Sequence, residues 1–219
     1  MNKNLLKRIV LTSAIAVLGV STSFAALVME RDQSVDTAPS VGMYRFEVPV
    51  GLQGTYNSAG VANLTASMEK EPNTLSMNVA HVKGNPSESY VVEIYKDLAA
   101  IETHRKSDHY QAFVNEVGSK LTNRKMYDVQ SVLLFEKKDA LSIVNDGKAV
   151  VTLTEFTVDS NEIDTVQRQY QLDMERAVRD DAGYKAGYVL RERNAKNRWY
   201  VIQIYSDQEA LTKHLNSPG

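Results

Sequence analysis

Cysteine is absent from the 219-residue sequence, and tryptophan occurs only once. Without cysteine the chain cannot form disulfides, thiolate nucleophiles, or zinc and iron–sulfur sites with cysteine ligands. It also cannot carry a lipid attached through a cysteine. The fold must therefore be held together by side-chain packing and hydrogen bonds.

A strong excess of one charge is also absent, because 25 basic residues face 27 acidic ones and the formal net charge is −2. Such a mildly acidic chain has no electrostatic reason to bind nucleic acid or anionic lipid. Glycine-rich phosphate loops, G-x-S-x-G elbows and Ser/His/Asp orderings are missing as well. The sequence therefore gives no support to a nucleotide-binding protein or a hydrolase.

The first residues have the composition of a secretory signal peptide. Lys3, Lys7 and Arg8 precede an apolar run over residues 9–20, and a small-x-small cleavage pattern ends at Ala25. The apolar run is shorter than the roughly 18 residues that a membrane-spanning helix needs, which disfavours a membrane anchor. We therefore predict a signal peptide over residues 1–25, cleaved after Ala25, and a periplasmic or secreted protein without membrane attachment.

What the sequence does contain is an internal repeat. Residues 92–109 align without a gap with residues 202–219, at a constant offset of 110 positions. The identical pairs are Ile94/Ile204, Tyr95/Tyr205, Asp97/Asp207, Ala100/Ala210, His104/His214 and Ser107/Ser217. Segments further upstream follow the same offset, so the chain is predicted to hold two copies of one domain.

Each copy is predicted to follow the order strand, helix, strand, strand, helix, strand, as far as it extends. In the first copy the strands fall near residues 41–48, 75–83, 90–95 and 127–136, all rich in Val, Tyr, Phe and Leu. One helix covers residues 52–70 and is weakened by its glycines, and a second begins after Asp97 and continues at helical spacing to Leu121. The second copy stops at the counterpart of His109, so it is either cut short or a natural remnant that leans on the first.

These patterns divide the chain into five parts. The signal peptide is followed by a flexible lead-in over residues 26–40 and a first domain over residues 41–138. A linker over residues 139–148, rich in Asp and Gly, precedes the shortened second domain over residues 149–219.

Residues 93–113 carry a recognisable motif. They satisfy every position of E-x-Y-x-[DS]-x-x-A-[LIF]-x-x-H-x-x-[ST]-x-H-[FY]-x-x-[FW], which resembles the antibiotic biosynthesis monooxygenase family, whose members include quinol monooxygenases. The resemblance implies an α+β, ferredoxin-like fold whose units pair as a dimeric barrel with facing sheets. We therefore expect tandem β-α-β-β-α-β repeats that form an intramolecular pseudo-dimer or a homodimer. Because the second repeat is incomplete, the barrel is expected to have a gap or an exposed edge.

The resemblance also implies a chemistry, namely the oxygenation of small aromatic phenols or quinols by dioxygen without a metal, flavin or other cofactor. Such a reaction needs a base in a dry pocket, and histidine is the natural base near neutral pH. His104 follows Ile101 by three positions on the helix face that carries Leu98, and it is expected to face the sheet as the proton acceptor. The alternative reading of His104 is a half-buried helix histidine satisfied by a neighbour.

Three further residues are expected to bind substrate. Glu93 and Tyr95 alternate onto one face of a strand, where Tyr95 could hydrogen-bond a substrate oxygen and Glu93 could orient a histidine. His81 shares a strand face with Met77 and Val79 and could line the same pocket. For each of them the alternative is a buried polar side chain with an internal partner.

The histidines also raise the question of a metal. His104 and His109 are five positions apart, which puts them on different faces of a continuous helix, so no metal site is expected. The haem-degrading branch of the family is disfavoured as well, because the first strand offers no asparagine and Trp199 lies in the second copy.

Two functions of different classes follow from these observations. The first is an exported, cofactor-independent monooxygenase that oxidises a small quinol or phenol. The alternative is a non-catalytic periplasmic protein that binds small molecules or responds to stress on the same scaffold. The glycine-interrupted helix of the first copy and the shortened second copy favour the alternative.

Overall fold

The computed structural model describes residues 7–18, 39–137, 143–144 and 147–217. Most of the predicted lead-in and six of the ten residues of the predicted linker lie outside these residues. The elements up to the linker are β1 Lys7–Leu18, β2 Ser40–Glu47, α1 Gln53–Lys70, β3 Thr74–Val82, β4 Asn85–Tyr95, α2 Leu98–Lys106, α3 Asp108–Glu116, a 3-10 turn Gly118–Lys120, β5 Thr122–Tyr127 and β6 Val129–Glu136. The remaining elements are β7 Ile143–Val144, β8 Val150–Thr157, α4 Ile163–Asp180, β9 Tyr184–Glu192, β10 Arg198–Tyr205 and α5 Gln208–Asn216.

The tandem repeat is confirmed element by element. The pairs β2/β8, α1/α4, β3/β9 and α2/α5 each begin and end 110 residues apart, and β4 and β10 end at Tyr95 and Tyr205. Each half forms an antiparallel sheet with helices on one face. The ferredoxin-like α+β fold predicted from the sequence is therefore confirmed.

The last strand of the first copy differs from the prediction. Instead of one strand over residues 127–136, the chain turns at Asp128 and forms β5 and β6, which enter different sheets. The first sheet has the order β5-β2-β4-β3, and the second has the order β8-β10-β9-β6. The second copy supplies three strands of the second sheet, and β6 of the first copy adds a fourth beside β9.

Burial explains why β6 joins the second sheet. Leu133 and Phe135 of β6 are each 1% exposed and pack with Met174 and Trp199 in the core beneath α4. At the turn, the backbone carbonyl of Asp128 accepts a hydrogen bond from the amide of Arg193. Both contacts tie the end of the first copy to the second.

Strand β1 lies between the two sheets. It pairs antiparallel with β3 on one side and with β8 on the other. Because β1 falls within the predicted signal peptide, removal of residues 1–25 would leave the edges of β3 and β8 without this partner. Cleavage after Ala25 stays a prediction. Among the described segments, no helix combines the length and hydrophobicity needed to cross a lipid bilayer.

The two faces of each sheet bury different cores. Along β4, Tyr90, Val92 and Ile94 point into the cluster shared by both halves, where the two sheets pack against each other. Val91 and Tyr95 alternate onto the opposite face and pack against the helices of the first half. The strand alternation therefore separates the barrel interior from the space beneath the helices.

Both helices of the first copy differ in detail from the prediction. Despite its glycines, α1 is continuous over 18 residues, because Tyr56 and Leu64 bury against the sheet at 2% and 3% exposure. The single helix predicted after Asp97 is broken at Ser107 into α2 and α3. The Ser107 hydroxyl accepts a hydrogen bond from the amide of Tyr110 at 3.3 Å and caps the new helix.

Truncation of a β6 side chain tests the exchange of this strand between the halves. We expect Leu133→Ala to lower the free energy of unfolding by about 2–5 kcal/mol, because a fully buried leucine leaves a cavity. Met126→Ala in β5, where the side chain is 68% exposed, should stay within about 0.5 kcal/mol. Denaturant unfolding measures both, and equal effects of the two variants would contradict the packing of β6 in the second half.

Candidate active site

A cavity lies between the helix-facing side of the first sheet and helices α1, α2 and α3. Its volume is about 90 Å³, several times the space that one buried water needs. Most of its wall is aromatic or aliphatic and includes Phe46, Leu64, Val79 and Phe113. Such an apolar hollow with few polar groups is typical of a small-molecule site.

The structure brings three of the four predicted site residues together. His104, Glu93 and Tyr95 all line the cavity. His81 is buried but lies outside the cavity lining, with its Nε2 2.9 Å from Asn57 Oδ1 and its ring edge-on to Tyr56. The predicted helix face needs correction, because Leu98 is 48% exposed and the buried face of α2 carries Ala100 and His104.

His104 is held by a carboxylate that sequence reasoning missed. Its Nδ1 lies 3.1 and 3.2 Å from the two oxygens of Glu71, the residue that ends α1. Thr74 Oγ1 donates to Glu71 Oε2 at 2.6 Å, and His109 Nε2 lies 2.6 Å from Glu71 Oε1. Glu71 therefore has the orienting role that the sequence suggested for Glu93. One signal was available, since Glu71 and Asp181 are acidic at the same offset that relates His104 to His214.

Burial, charge and hydrogen bonds together lower the pKa of both members of this pair. Burial lowers the pKa of His104 below its ordinary value, although the charge of Glu71 and its hydrogen bond act in the opposite direction. Burial opposes ionisation of Glu71, but hydrogen bonds from Thr74 and His104 and the charge of His104 outweigh it and lower the pKa of that carboxyl. An ionised Glu71 accepts the proton of Nδ1, so Nε2 of His104 carries a free lone pair.

Two buried acceptors in the cavity wall have no hydrogen-bond partner among the described residues. They are His104 Nε2 and Asn63 Oδ1, and the two residues are 1% and 5% exposed. Nothing in the sequence distinguished Asn63 from other polar residues of α1. In the second half its counterpart, Asp173, lies with Oδ2 3.7 Å from Nε2 of His214, so this helix position faces the histidine. Unpaired acceptors in a cavity indicate a ligand that donates hydrogen bonds.

A second polar group of the cavity is built on β2 and β4. The hydroxyl of Tyr95 donates to Glu93 Oε2 at 2.9 Å. A Cβ atom at Gly42 would lie 2.8 Å from Tyr44 Cε2 and 3.1 Å from Glu93 Oε2, so glycine makes room for both side chains. Burial is the main cause that raises the pKa of Glu93, to about 7. A carboxyl group with this pKa is partly protonated near neutral pH.

The break at Ser107 also changes the argument about metals. Because α2 and α3 are separate helices, His104 and His109 converge on Glu71, and their ligand atoms lie within 4.8 Å of one another. These three groups could hold a divalent cation. Glu71 already hydrogen-bonds to both histidines, however, and Glu71 and His109 do not line the cavity.

The second half also has a buried histidine paired with a carboxylate, but an aromatic side chain occupies the space beside the ring. His214 Nδ1 lies 2.7 Å from Asp181 Oδ2. Tyr184 is 1% exposed and packs its ring against His214 at 5.5 Å, where the first half has Thr74 at the equivalent position. Gln203 stands at the position equivalent to Glu93, and Thr152 stands at the position equivalent to Gly42. The cavity described above is thus lined by residues of the first half alone.

The tautomer of His104 can be measured without an activity assay. We expect neutral His104 to carry its proton on Nδ1 and to have a pKa below the ordinary histidine value, because burial disfavours the charged ring. Nitrogen-15 NMR of the imidazole side chains measures both properties, with His104→Gln and His214→Gln variants as assignments. A proton on Nε2 at neutral pH would contradict the arrangement.

Comparisons with known proteins agree with the fold. The profile of the family described as antibiotic biosynthesis monooxygenase matches residues 41–116 and 149–219, and no curated protein matches the chain. The chain is similar to the crystal structure of a proposed monooxygenase from Lactobacillus acidophilus, with a TM-score of 0.75, 19% identity and 83% of each chain covered. It is also similar to a proposed monooxygenase from Fusobacterium nucleatum, with a TM-score of 0.69, 22% identity, and coverage of 83% of this chain and 82% of that one. These likenesses support the shared fold, and the profile match over both halves shows that the chain belongs to the antibiotic biosynthesis monooxygenase family.

Proposed function

We propose that the protein is a cofactor-independent monooxygenase that oxidises a small quinol or phenol with dioxygen, and that His104 is its base. The observation that carries this proposal is the buried Nε2 of His104, which faces a cavity without a hydrogen-bond partner among the described residues. A phenol hydroxyl placed against Nε2 supplies the missing donor. Its proton then moves to the imidazole, and the aromatic anion reacts with dioxygen.

Glu71 prepares His104 for this step. The carboxylate holds Nδ1–H at 3.1 Å, which keeps the acceptor lone pair on the cavity side. When His104 takes a proton, the resulting imidazolium is stabilised by the same carboxylate. Glu71 is a positioning residue, because it does not line the cavity.

The cavity wall suits a substrate with two hydroxyl groups. Asn63 Oδ1 is a second buried acceptor without a partner in the described part of the chain, so a quinol can donate to it while its other hydroxyl meets His104. The aromatic and aliphatic side chains around the cavity exclude water, which keeps the substrate anion reactive toward dioxygen. We further propose that the enzyme works in the periplasm or outside the cell, because residues 1–25 have the pattern of a signal peptide.

Replacement of His104 tests the proposal directly. We expect His104→Ala to lower quinol-dependent dioxygen uptake by about 10²–10⁴-fold, the range typical of a lost general base. His214→Ala is the matched control, because it removes the equivalent histidine where Tyr184 fills the adjacent space. Oxygen-electrode assays over a panel of quinols and phenols give the readout, with circular dichroism to compare folding.

Equal rates for His104→Ala and the wild type would contradict the assignment of the base. No dioxygen uptake by the wild-type protein with any member of the panel would contradict the enzymatic function. It would favour the alternative of a small-molecule binding protein, which ligand titration with the same quinols would then test.

The pH dependence separates the roles of His104 and Glu71. The neutral imidazole is the active form, so kcat/KM should fall as the pH decreases through the pKa of His104, which burial lowers below the ordinary histidine value. The charge of Glu71 raises that pKa, whereas the charges of His109 and Arg105 lower it. Glu71→Gln should therefore move the acidic limb to lower pH and also reduce the plateau rate. An unshifted limb would show that Glu71 does not act through His104.

A further inference from the structure

We propose that Glu93 is a second catalytic residue, an acid that protonates the peroxide formed when dioxygen bonds to the substrate ring. This inference rests on the proposed function, and it assigns the proton donor that a base alone leaves unexplained. The chemistry requires both a group that removes a proton and a group that supplies one within the same water-poor cavity.

The position of Glu93 supports this role. It lies on the helix-facing side of β4 and lines the same cavity as His104. Tyr95 donates its hydroxyl to Oε2 at 2.9 Å, which fixes the carboxyl group and leaves the acidic proton for Oε1. A Cβ atom at Gly42 would lie 3.1 Å from Glu93 Oε2 and 2.8 Å from Tyr44 Cε2, so the absence of a side chain at Gly42 leaves room for this carboxyl group.

The electrostatic surroundings raise the pKa of Glu93 to about 7. Burial is the largest cause that raises its pKa, and the charge of Glu71 acts in the same direction. The hydrogen bond from Tyr95 and the charge of Arg105 lower the pKa, but burial dominates. In the same cavity burial lowers the pKa of His104. One group is thus prepared to give a proton and the other to accept one, which is the arrangement expected of an acid–base pair.

The reaction can be written with two proton transfers that restore both residues. His104 takes the phenolic proton, and the anion transfers electrons to dioxygen until a ring carbon is bonded to a peroxide anion. Glu93 protonates the terminal oxygen to give a hydroperoxide. The O–O bond then breaks, and the terminal OH leaves with the proton held by His104 as water. The ring C–H proton returns to Glu93 as the carbonyl forms. A hydroquinone and dioxygen thereby give a hydroxyquinone and water, with dioxygen as the only oxidant.

The second half of the protein offers an internal comparison. It carries Gln203 in place of Glu93 and Thr152 in place of Gly42, and Tyr184 occupies the space beside its histidine. The strand therefore folds with an amide at this position, so an acid is not needed for packing. The acid occurs in the half that contains the described cavity.

The test is Glu93→Gln, a substitution that the second half already makes. Without the acid, the peroxide should leave as hydrogen peroxide, and a hydroquinone should become a simple quinone. We expect the wild type to incorporate one atom of ¹⁸O₂ into the product and to release little hydrogen peroxide. Glu93→Gln should consume dioxygen, lose most of the label from the product, and release hydrogen peroxide in its place. Formation of labelled product should fall by about 10²-fold or more.

Three outcomes are distinguishable. Labelled product from Glu93→Gln at the wild-type rate and without hydrogen peroxide would overturn the role of Glu93 and leave His104 as base intact. Partial recovery of labelled product by Glu93→Asp, which keeps an acid, would support the role. An absence of dioxygen uptake by the wild type, with the proteins folded, would overturn the proposed function and this inference with it.

Discussion

The hydrogen bond between Glu71 and His104 is the interaction on which the rest of the site depends. It joins the end of α1 to the last turn of α2, at distances of 3.1 and 3.2 Å. Thr74, at the start of β3, holds the same carboxylate, so one buried group ties two helices to the sheet. An unpaired carboxylate in this place would be costly to bury. Because the pair is satisfied internally, the imidazole is fixed with one nitrogen facing the cavity.

The same pair in the second half shows that this interaction belongs first to the fold. Asp181 and His214 are 2.7 Å apart, yet Tyr184 packs against the ring from the side. The difference between the halves therefore lies in the residues around the histidine. The first half has an apolar cavity that is lined by two ionisable groups, His104 and Glu93. The second half supplies the opposing sheet of the barrel, which includes β6 from the first half.

Alternation along the strands places the core residues and the cavity residues on opposite faces of the first sheet. One face of β4 builds the core between the two sheets, and the other face carries Glu93 and Tyr95 beneath the helices. A polar site can exist there because the barrel interior supplies most of the apolar burial. Desolvation then has opposite effects on the two ionisable groups of the cavity, since it disfavours the charged form of each. Glu93 tends to keep a proton and His104 tends to lose one.

The sequence by itself determined the repeat and the ferredoxin-like order of elements, because these follow from the offset of 110 and from strand and helix periodicity. Strand alternation also placed Glu93 and Tyr95 on one face of their strand. The buried face of α2 did not follow from periodicity, since Leu98 is exposed and His104 is buried. Only the tertiary structure decided the parts that depend on contacts distant in the chain. Glu71 is 33 residues from His104, the break at Ser107 brings His109 to that carboxylate, and His81 pairs with Asn57 outside the cavity lining. The division of residues 127–136 between two sheets was likewise settled by burial of Leu133 and Phe135 against the second half, which no local pattern encodes.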